Sequence, residues 1–224
     1  MDSLRKQDRK PQYTCIAFDL DGTLLDTLED LTDSVNFVLH KFGYPKHTIE
    51  VVRSFIGNGI QKLLERAVPE SVEGTEFEEI SKLFKEYYKE HCQDKTKLYS
   101  GVEQMLSNLC KEGYQLAIVS NKADFAVKEL YNKYFAKYMR HAVGEKEGIK
   151  RKPAPDMLLH VLKEMNVDKR EVLYVGDSEV DKQTADNTGV DCLMVSWGFR
   201  DKEELEKLAP IGIIDKAEEI WKYI

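Results

Sequence analysis

Short apolar runs alternate along most of the chain with stretches in which apolar positions recur every three or four residues. Such runs are typical of strands buried on both faces of a parallel sheet, and the periodic stretches are typical of amphipathic helices. We predict strands at 14–20, 115–120, 140–144, 171–177, 191–197 and 211–215. We predict helices between them at 102–112, 122–135, 155–165 and 178–188. Strand alternating with helix predicts an α/β fold whose core is a doubly wound, Rossmann-like parallel sheet.

The alternation stops after the first strand, where four helical patterns follow one another without a strand-like run. The first pattern places apolar residues at helical spacing: Leu28, Leu31, Val35, Val38, Leu39 and Phe42. The other three lie near 48–56, 60–67 and 75–91. We therefore predict a small all-helical cap at 26–92, inserted into an α/β core formed by 1–25 and 93–224. Residues 1–12 are polar throughout, and we expect them to be a frayed lead-in to that core.

Composition and charge exclude several classes of protein. The 224 residues are 42% hydrophobic and 33% charged, as in globular domains, and the net charge is −7. That balance argues against a broad nucleic-acid surface or a helix that binds anionic membranes, because both need a basic excess. No apolar stretch approaches the ~20 residues of a membrane span, and the polar amino terminus does not resemble a secretory signal. We therefore expect a cytoplasmic protein without nucleic-acid or membrane partners.

The four cysteines do not form a recognisable site. Cys15, Cys92, Cys110 and Cys192 are scattered, with no CxxC pair and no nearby pair of histidines. A zinc site and a catalytic cysteine therefore have no support from a flanking motif. We expect free thiols, most of them buried.

The segment Phe18–Thr23 carries the clearest chemistry. Asp19 and Asp21 leave the end of the first strand at a spacing of two, which puts both side chains on one side. Ligands of open parallel sheets bind at the carboxyl ends of strands, and two carboxylates held together there favour a cation such as Mg²⁺. Gly22 allows a sharp turn that brings backbone N–H groups toward an anion. A calcium loop is excluded because Leu24 stands where that loop needs glycine; an ordinary Asp-Gly turn remains the alternative.

Three later segments place polar groups after other predicted strands. Ser120 and Asn121 are expected to open a helix whose free amides bind an anion, although a plain N-cap is the simpler interpretation. Lys152 precedes Pro153 and is expected to point inward, whereas charged loops are usually solvated. Asp177 and Asp181 follow a further strand; acidic capping of the next helix is the alternative for Glu179 and Asp181 but does not explain Asp177. Together the segments place carboxylates, a hydroxyl and a lysine in one crevice, an arrangement suited to phosphoryl transfer.

In this order, the four segments resemble the motifs of the haloacid dehalogenase superfamily of phosphatases. The stretches 19–27 and 56–67 are most similar to phosphoglycolate phosphatases, and the helical insert resembles that family's mobile cap. The resemblance implies that Asp19 is the nucleophile and that Asp21 is the acid and base. It implies phosphate binding by Ser120, Lys152 and the backbone amides of Leu20, Asp21 and Asn121. It also implies Mg²⁺ held by Asp19, the carbonyl of Asp21 and Asp177, with Asp181 behind, near the metal or Lys152.

The resemblance further implies a small phosphorylated metabolite as partner, 2-phosphoglycolate first, hydrolysed through an aspartyl phosphate. Asn58 in the Gly-Asn-Gly turn of the cap can contact that ligand, although such turns are often plain tight turns. Alternatives are a related hydrolase acting on pyrophosphate, nucleotides or sugar phosphates, or a phosphomutase. A dehalogenase is disfavoured because it does without the acid and base. A receiver-like signalling domain and a degenerate binding module are the alternatives that are not enzymes, and the chain is expected to be a monomer or a dimer.

Overall fold

The computed structural model describes residues 13–224, so the lead-in predicted for 1–12 lies outside the described residues. The strands are β1 (Cys15–Phe18), β2 (Leu25–Asp26), β3 (Lys97–Leu98), β4 (Gln115–Ala123), β5 (His141–Glu145), β6 (Val172–Gly176), β7 (Asp191–Val195) and β8 (Gly212–Ile214). The α-helices are α1 (Leu28–Lys41), α2 (Ile49–Phe55), α3 (Gly59–Ala67), α4 (Gly74–His91), α5 (Val102–Lys111), α6 (Asp124–Leu130), α7 (Asp156–Met165), α8 (Glu179–Thr188) and α9 (Lys202–Glu206).

A six-stranded parallel sheet forms the core, in the order β5-β4-β1-β6-β7-β8. All four residues of β1 are buried, and Phe18 at its end pairs with Ile118 of β4 on one side and Val175 of β6 on the other. The chain leaves β1 toward β4 and later returns to its other side with β6, so the strand order reverses beside β1. Ligands of doubly wound sheets bind at such a switch point. The predicted fold class is confirmed.

The helical insert, residues 28–91, holds the helices α1 to α4 and follows the first strand as expected. Its apolar faces form a cluster that includes Leu31, Val35 and Val38 of α1 and Ile80 and Phe84 of α4, and that Ala126 and Phe199 of the core join. The amphipathic spacing in the sequence produced this packing, because residues three and four apart share one helix face. The domain boundaries at 26 and 92 remain a prediction.

Two short links join the insert to the core, and they pair with each other as the antiparallel strands β2 and β3. The carboxylate of Asp30, near the start of α1, accepts hydrogen bonds of 2.9 Å from the amides of Lys95 and Thr96 in the returning link. One buried side chain therefore ties the start of α1 to the returning link. The sequence did not predict these strands, because two residues are too few to show a period.

The segment after the second core strand differs from the prediction. We expected Ser120 and Asn121 to open a helix at residue 122, but β4 continues to Ala123 and α6 begins at Asp124. The strand is irregular between Val119 and Ala123, and its pairing with β5 resumes at Ala123 opposite Glu145. Pairing with the neighbouring strand therefore keeps the polar residues extended, and their amides are not those of a helix terminus. Over 13–224, no helix combines the length and the apolar character that crossing a membrane requires.

Candidate active site

The predicted acidic residues meet at the carboxyl end of the sheet, beside the reversal of strand order. Asp19 directly follows β1 and is 7% exposed, and the side chain of Asp21 is 14% exposed. Gly22 has a φ of +85°, and its amide donates to the carbonyl of Leu25, which closes the turn. A Cβ at Gly22 would overlap the carboxylate of Asp177, so the glycine is required both for the turn and for the close approach of that acid.

Asp177 follows β6 and faces Asp19 across this turn. Its Oδ2 accepts a 2.8 Å hydrogen bond from the amide of Phe199, and its Oδ1 a 3.4 Å bond from the hydroxyl of Thr23. A Cβ at Gly198 would also overlap Asp177. Two glycines therefore make room for this carboxylate.

Lys152 is the basic residue of its loop that enters the site. Its Nζ lies 2.9 Å from Asp19 Oδ1 and 2.8 Å from Asp181 Oδ1, and it donates to the Tyr174 hydroxyl at 3.1 Å. Burial alone would lower the pKa of Lys152, but the carboxylates of Asp181 and Asp19 outweigh burial and raise it well above its ordinary value. Lys150 is exposed. The structure thus brings together the lysine and the nucleophile that the sequence predicted.

Asp181 is completely buried, and both of its oxygens have partners. Oδ2 accepts from the Ser178 hydroxyl at 2.7 Å and from the amides of Ser178 and Asp177 at 3.1 and 3.2 Å. Oδ1 faces Lys152 and Tyr174. The capping interpretation is therefore correct as well, since Ser178 and Asp181 form a capping box at the start of α8. The same carboxylate caps the helix and holds Lys152.

The three acids could hold a divalent cation. One carboxylate oxygen from each of Asp19, Asp177 and Asp181 lies within 4.8 Å of the others. Asp19 Oδ1 is buried and, among the described residues, receives no hydrogen bond of acceptable geometry despite its proximity to Lys152. The ammonium of Lys152 beside it is shared with Asp181, and a buried carboxylate oxygen short of well-aligned donors is costly unless a further charge or a ligand meets it. Because Asp181 is saturated with protein donors, Asp19 and Asp177 are the two carboxylates that remain able to bind a cation.

Electrostatics support the same conclusion. Burial raises the pKa of Asp19 to about 7; Lys152 lowers it, and the nearby Asp181 and Asp21 raise it. Burial, followed by repulsion from Asp181 and Asp19, raises the pKa of Asp177 well above its ordinary value. Carboxylates crowded in this way are stabilised in their ionised form by a cation between them. A hard cation with oxygen ligands fits this set of donors.

A cavity lies between this edge of the sheet and the helical insert, and Asp19, Asp21 and Asp177 line it. Ser120 and Asn121 lie at the same edge of the sheet and line the cavity too. The side chain of Asn121, however, is engaged elsewhere. Its Oδ1 accepts from the Lys152 amide at 2.8 Å, and its Nδ2 donates to the carbonyls of Lys152 and Gly57. Asn121 therefore holds the lysine loop and reaches the insert, which leaves its backbone amide as the group that can meet an anion.

Lys122 and Tyr88 are site residues that the sequence did not predict. The Nζ of Lys122 lies 2.9 and 3.2 Å from the two carboxylate oxygens of Asp21, and it also contacts the hydroxyl of Tyr88 on α4. Tyr88 continues the apolar face of α4 begun by Ile80 and Phe84, so its sequence pattern is that of a core aromatic residue. The one feature of the sequence that could have indicated Lys122 is its position at the end of an apolar strand.

The insert closes the cavity with apolar side chains and with backbone. Leu31, Ile56, Ile60 and Leu63 line it. The carbonyl of Ile56 accepts a 3.1 Å hydrogen bond from Arg200 of the core. The space that the centres of water-sized molecules can occupy in the cavity is about 40 Å³. That is room for about three waters.

Gly57 and Gly59 line the cavity, but Asn58 between them does not. Its Oδ1 instead accepts a 2.9 Å hydrogen bond from Arg66. The structure therefore does not bring this residue to the site, because α3 supplies a nearer partner for the amide.

Arg200 lines the cavity from the core side and was not among the predicted site residues. It donates at 2.8 Å and 3.1 Å to the carboxylate of Glu179. Glu179 is therefore an ion-pair partner as well as an acid in the first turn of α8. A loop arginine next to Phe199 carries no local pattern that would have revealed this contact.

Comparison with known proteins agrees with this geometry. The model of the family described as haloacid dehalogenase-like hydrolases matches residues 16–195. Phosphoglycolate phosphatase 1 of Pseudomonas aeruginosa is 34% identical over 92% of this chain and 77% of its own. Phosphoglycolate phosphatase of Psychrobacter arcticus is 30% identical over 93% of this chain and 94% of its own.

A solved structure from Lactobacillus delbrueckii, whose phosphoglycolate phosphatase activity is itself an inference, has 37% sequence identity to this chain. It superposes with a TM-score of 0.89 and covers 93% of this chain and 97% of its own. The match spans the sheet, the insert and the acidic cluster together. The chain thus belongs to the haloacid dehalogenase-like hydrolases, and it is a phosphoric monoester hydrolase that resembles the phosphoglycolate phosphatases.

Proposed function

We propose that this enzyme hydrolyses 2-phosphoglycolate in the presence of Mg²⁺, with Asp19 as the nucleophile. The observation that carries the proposal is the buried Asp19 carboxylate at the end of β1, with Lys152 at 2.9 Å and an Oδ1 that lacks a hydrogen bond among the described residues. The names of the curated relatives support the choice of substrate. The four free cysteines suit a reducing compartment, so we place the enzyme in the cytoplasm.

The reaction proceeds in two displacements at phosphorus. A carboxylate oxygen of Asp19 attacks, the bond from phosphorus to the ester oxygen breaks, and Asp21 gives that oxygen a proton. Water then attacks the aspartyl phosphate while Asp21 takes a proton from it, which releases inorganic phosphate and restores Asp19. Covalent catalysis of this kind divides one difficult step into two easier ones.

The remaining residues neutralise and orient the phosphoryl group. We assign its oxygens to the hydroxyl of Ser120, the ammonium of Lys152 and the backbone amides of Leu20, Asp21 and Asn121. Such preorganised donors account for much of catalysis in phosphoryl transfer, where the transferring group needs little else. Lys152 is held by Asp181, so it is positioned before substrate arrives.

We assign Mg²⁺ to the carboxylates of Asp19 and Asp177 and the carbonyl of Asp21, with Asp181 supporting Lys152 behind them. When bound, the ion neutralises negative charge between the nucleophile and the phosphoryl group. Gly22 and Gly198 keep the space beside Asp177 free of side chains. The crowding of Asp19 and Asp177 is relieved by this charge.

The insert selects compact substrates. With the insert in this position, the cavity leaves only about 40 Å³ for the centres of water-sized molecules, so we expect the insert to move away from the core when substrate enters, with the links at β2 and β3 as the hinge. Once the insert closes, a large phosphorylated molecule is excluded. A preference for small phosphate esters over phosphoproteins or nucleic acids follows.

The test measures phosphate release from a panel of phosphorylated metabolites with Mg²⁺, for the wild type and for Asp19→Asn. We expect 2-phosphoglycolate to give the highest kcat/KM and Asp19→Asn to lower kcat by at least about 10³-fold. An amide cannot accept the phosphoryl group. Retention of more than a few per cent of wild-type kcat by a folded Asp19→Asn enzyme would refute the covalent mechanism, and a higher kcat/KM for another metabolite would refute the substrate.

A further inference from the structure

Three side chains from the two sides of the cavity meet in its wall. Lys122 Nζ lies 2.9 and 3.2 Å from the two oxygens of Asp21, and it also contacts the hydroxyl of Tyr88. Asp21 and Lys122 belong to the end of the sheet, whereas Tyr88 belongs to α4 of the insert. The cluster therefore joins the predicted acid and base to the part of the molecule that closes over it.

The ammonium of Lys122 is held tightly. Its side chain is 2% exposed, and a buried ammonium is costly unless its protons have partners. Here the carboxylate of Asp21 and the oxygen of Tyr88 supply those partners, and Nζ also lies 4.8 Å from the centroid of the Tyr88 ring. Lys122 has little freedom to move while the insert occupies this position.

Asp21 depends on that restraint for its orientation. The Asp21 side chain is partly exposed, and Lys122 is the side chain that contacts both of its oxygens. Proton transfer needs the carboxylate within about 2.6–3.2 Å of the reacting oxygen, so rotation of this short side chain changes the rate directly. A contact to both oxygens limits that rotation.

We infer that Lys122 is a positioning residue that orients Asp21 for proton transfer, and that Tyr88 makes this orientation depend on seating of the insert. The inference rests on the proposed function, because it takes Asp21 to be the acid and base. It assigns to the insert a part in the chemistry beyond exclusion of water. Acid–base competence and closure are then coupled through one buried ammonium.

The experiment compares kcat/KM for phenyl phosphate and 4-nitrophenyl phosphate in Lys122→Met and Tyr88→Phe enzymes. The two esters are similar in shape and lack a carboxylate, but phenolate is the poorer leaving group and needs the proton more. We expect Lys122→Met to lower kcat/KM by about 10²-fold for phenyl phosphate and by at most about tenfold for 4-nitrophenyl phosphate. Tyr88→Phe removes one oxygen and should lower the value for phenyl phosphate by about threefold to tenfold.

Matched controls lie outside the cavity. Tyr44 on the insert hydrogen-bonds Glu76, and Lys128 on α6 forms an ion pair with Asp124. Tyr44→Phe and Lys128→Met should leave both kcat/KM values within about twofold of wild type. Thermal unfolding of every variant separates loss of function from loss of fold, and Tyr88→Phe supplies the test if Lys122→Met does not fold.

A double variant identifies the path of the effect. If Lys122 acts through Asp21, adding Lys122→Met to Asp21→Asn should cost less than about twofold more, since groups that act as a unit are not additive. A full additional loss in the double variant would overturn the inference. Equal losses for the two aryl esters would also overturn it, as would a loss confined to KM for 2-phosphoglycolate, which would make Lys122 a substrate ligand.

Failure of the proposed function has a different signature. If Asp21→Asn lowers kcat/KM equally for the two aryl esters, Asp21 is not the acid, and the proposed function is wrong at that point. If Asp21→Asn lowers kcat/KM more for phenyl phosphate than for 4-nitrophenyl phosphate and Lys122→Met does not, only the positioning role fails. The single variants therefore separate the two failures.

Discussion

The two sides of the cavity offer different kinds of groups. The core contributes charged side chains, with Asp19 and Asp177 directly after strands and Lys152 in the loop before α7, each held by buried partners. The insert contributes apolar side chains, the backbone carbonyls of Ile56 and Gly57, and the hydroxyl of Tyr88. In the proposed function, the charged groups of the core carry most of the chemistry, and the helices of the insert contribute mainly fit and closure. Variants on the two sides should consequently fail in different ways.

The largest effect is expected on the core side, at Lys152. Replacing it with alanine removes the ammonium that lies 2.9 Å from Asp19 and 2.8 Å from Asp181, so the proposed phosphate ligand is lost and two buried acids lose their counter-charge. We expect Lys152→Ala to lower kcat/KM by about 10²–10³-fold for every phosphate ester. Steady-state kinetics on 2-phosphoglycolate and an aryl phosphate measure this directly.

The neighbouring Lys150 is the control, because it belongs to the same loop but is exposed. Lys150→Ala should leave kcat/KM within about twofold of wild type. The opposite ranking of the two lysines would move the phosphate site along the loop. Thermal unfolding should accompany both measurements, since Lys152 also stabilises Asp181.

A smaller effect, still on the core side, is expected for the metal. Asp177→Asn weakens one of the two carboxylates that remain able to bind a cation, so the Mg²⁺ concentration for half-maximal activity should rise by at least about tenfold. The rise in melting temperature on adding Mg²⁺, which does not depend on turnover, should shrink as well.

Glu179→Gln is the matched control for this change. Glu179 lies two residues further on, but its carboxylate pairs with Arg200 at 2.8 Å and is not part of the acidic cluster. The Mg²⁺ requirement of Glu179→Gln should match that of wild type. An unchanged requirement in Asp177→Asn would exclude Asp177 as a metal ligand.

The same division between core and insert explains what the sequence could predict. The proposed chemistry needs particular residue types at strand ends, and a buried strand is marked by its apolar run, so the places of Asp19 and Asp177 could be predicted from the strands they follow. Lys152 was instead predicted from the Pro153 that follows it in a loop. The fold class followed from the alternation of strands and helices. The local errors occurred where tertiary pairing decided the outcome, as at Ser120–Lys122, which stay extended because Ala123 pairs with Glu145.

The insert could be predicted as helices but not as a participant in the site. Tyr88 occupies an apolar face position, and the direction of its hydroxyl follows from how α4 packs on the core, which helical spacing does not specify. The contacts from Ile56 and Gly57 use backbone carbonyls, which every residue has. Asn58 is the opposite case, a residue that the sequence placed in the site and the structure does not. Its side chain suggested a ligand contact, but it accepts a hydrogen bond from Arg66 instead.

The smallest expected effect lies on the insert side, at Gly59, and a matched glycine allows it to be isolated. Gly59 and Gly43 both have a φ of +78°, so alanine at either position costs about 1–2 kcal/mol of folding free energy. A Cβ at Gly43 would meet nothing within 4 Å, whereas one at Gly59 would overlap the end of the Glu145 side chain, which must turn away, and would lie tightly against the carbonyl of Asn121 at 3.3 Å. The two variants therefore share the backbone strain and differ in whether the insert can still approach the core.

We expect Gly59→Ala to lower kcat/KM for 2-phosphoglycolate by about tenfold, because an insert held away from the core excludes water less well and seats substrate less firmly. Activity on 4-nitrophenyl phosphate, which needs less help from its surroundings, should fall by less. Gly43→Ala should show the same drop in melting temperature with kinetics within about twofold of wild type. If both glycine variants lost activity equally, the loss would follow from backbone strain, and closure of the insert on Glu145 and Asn121 would have no part in selecting the substrate.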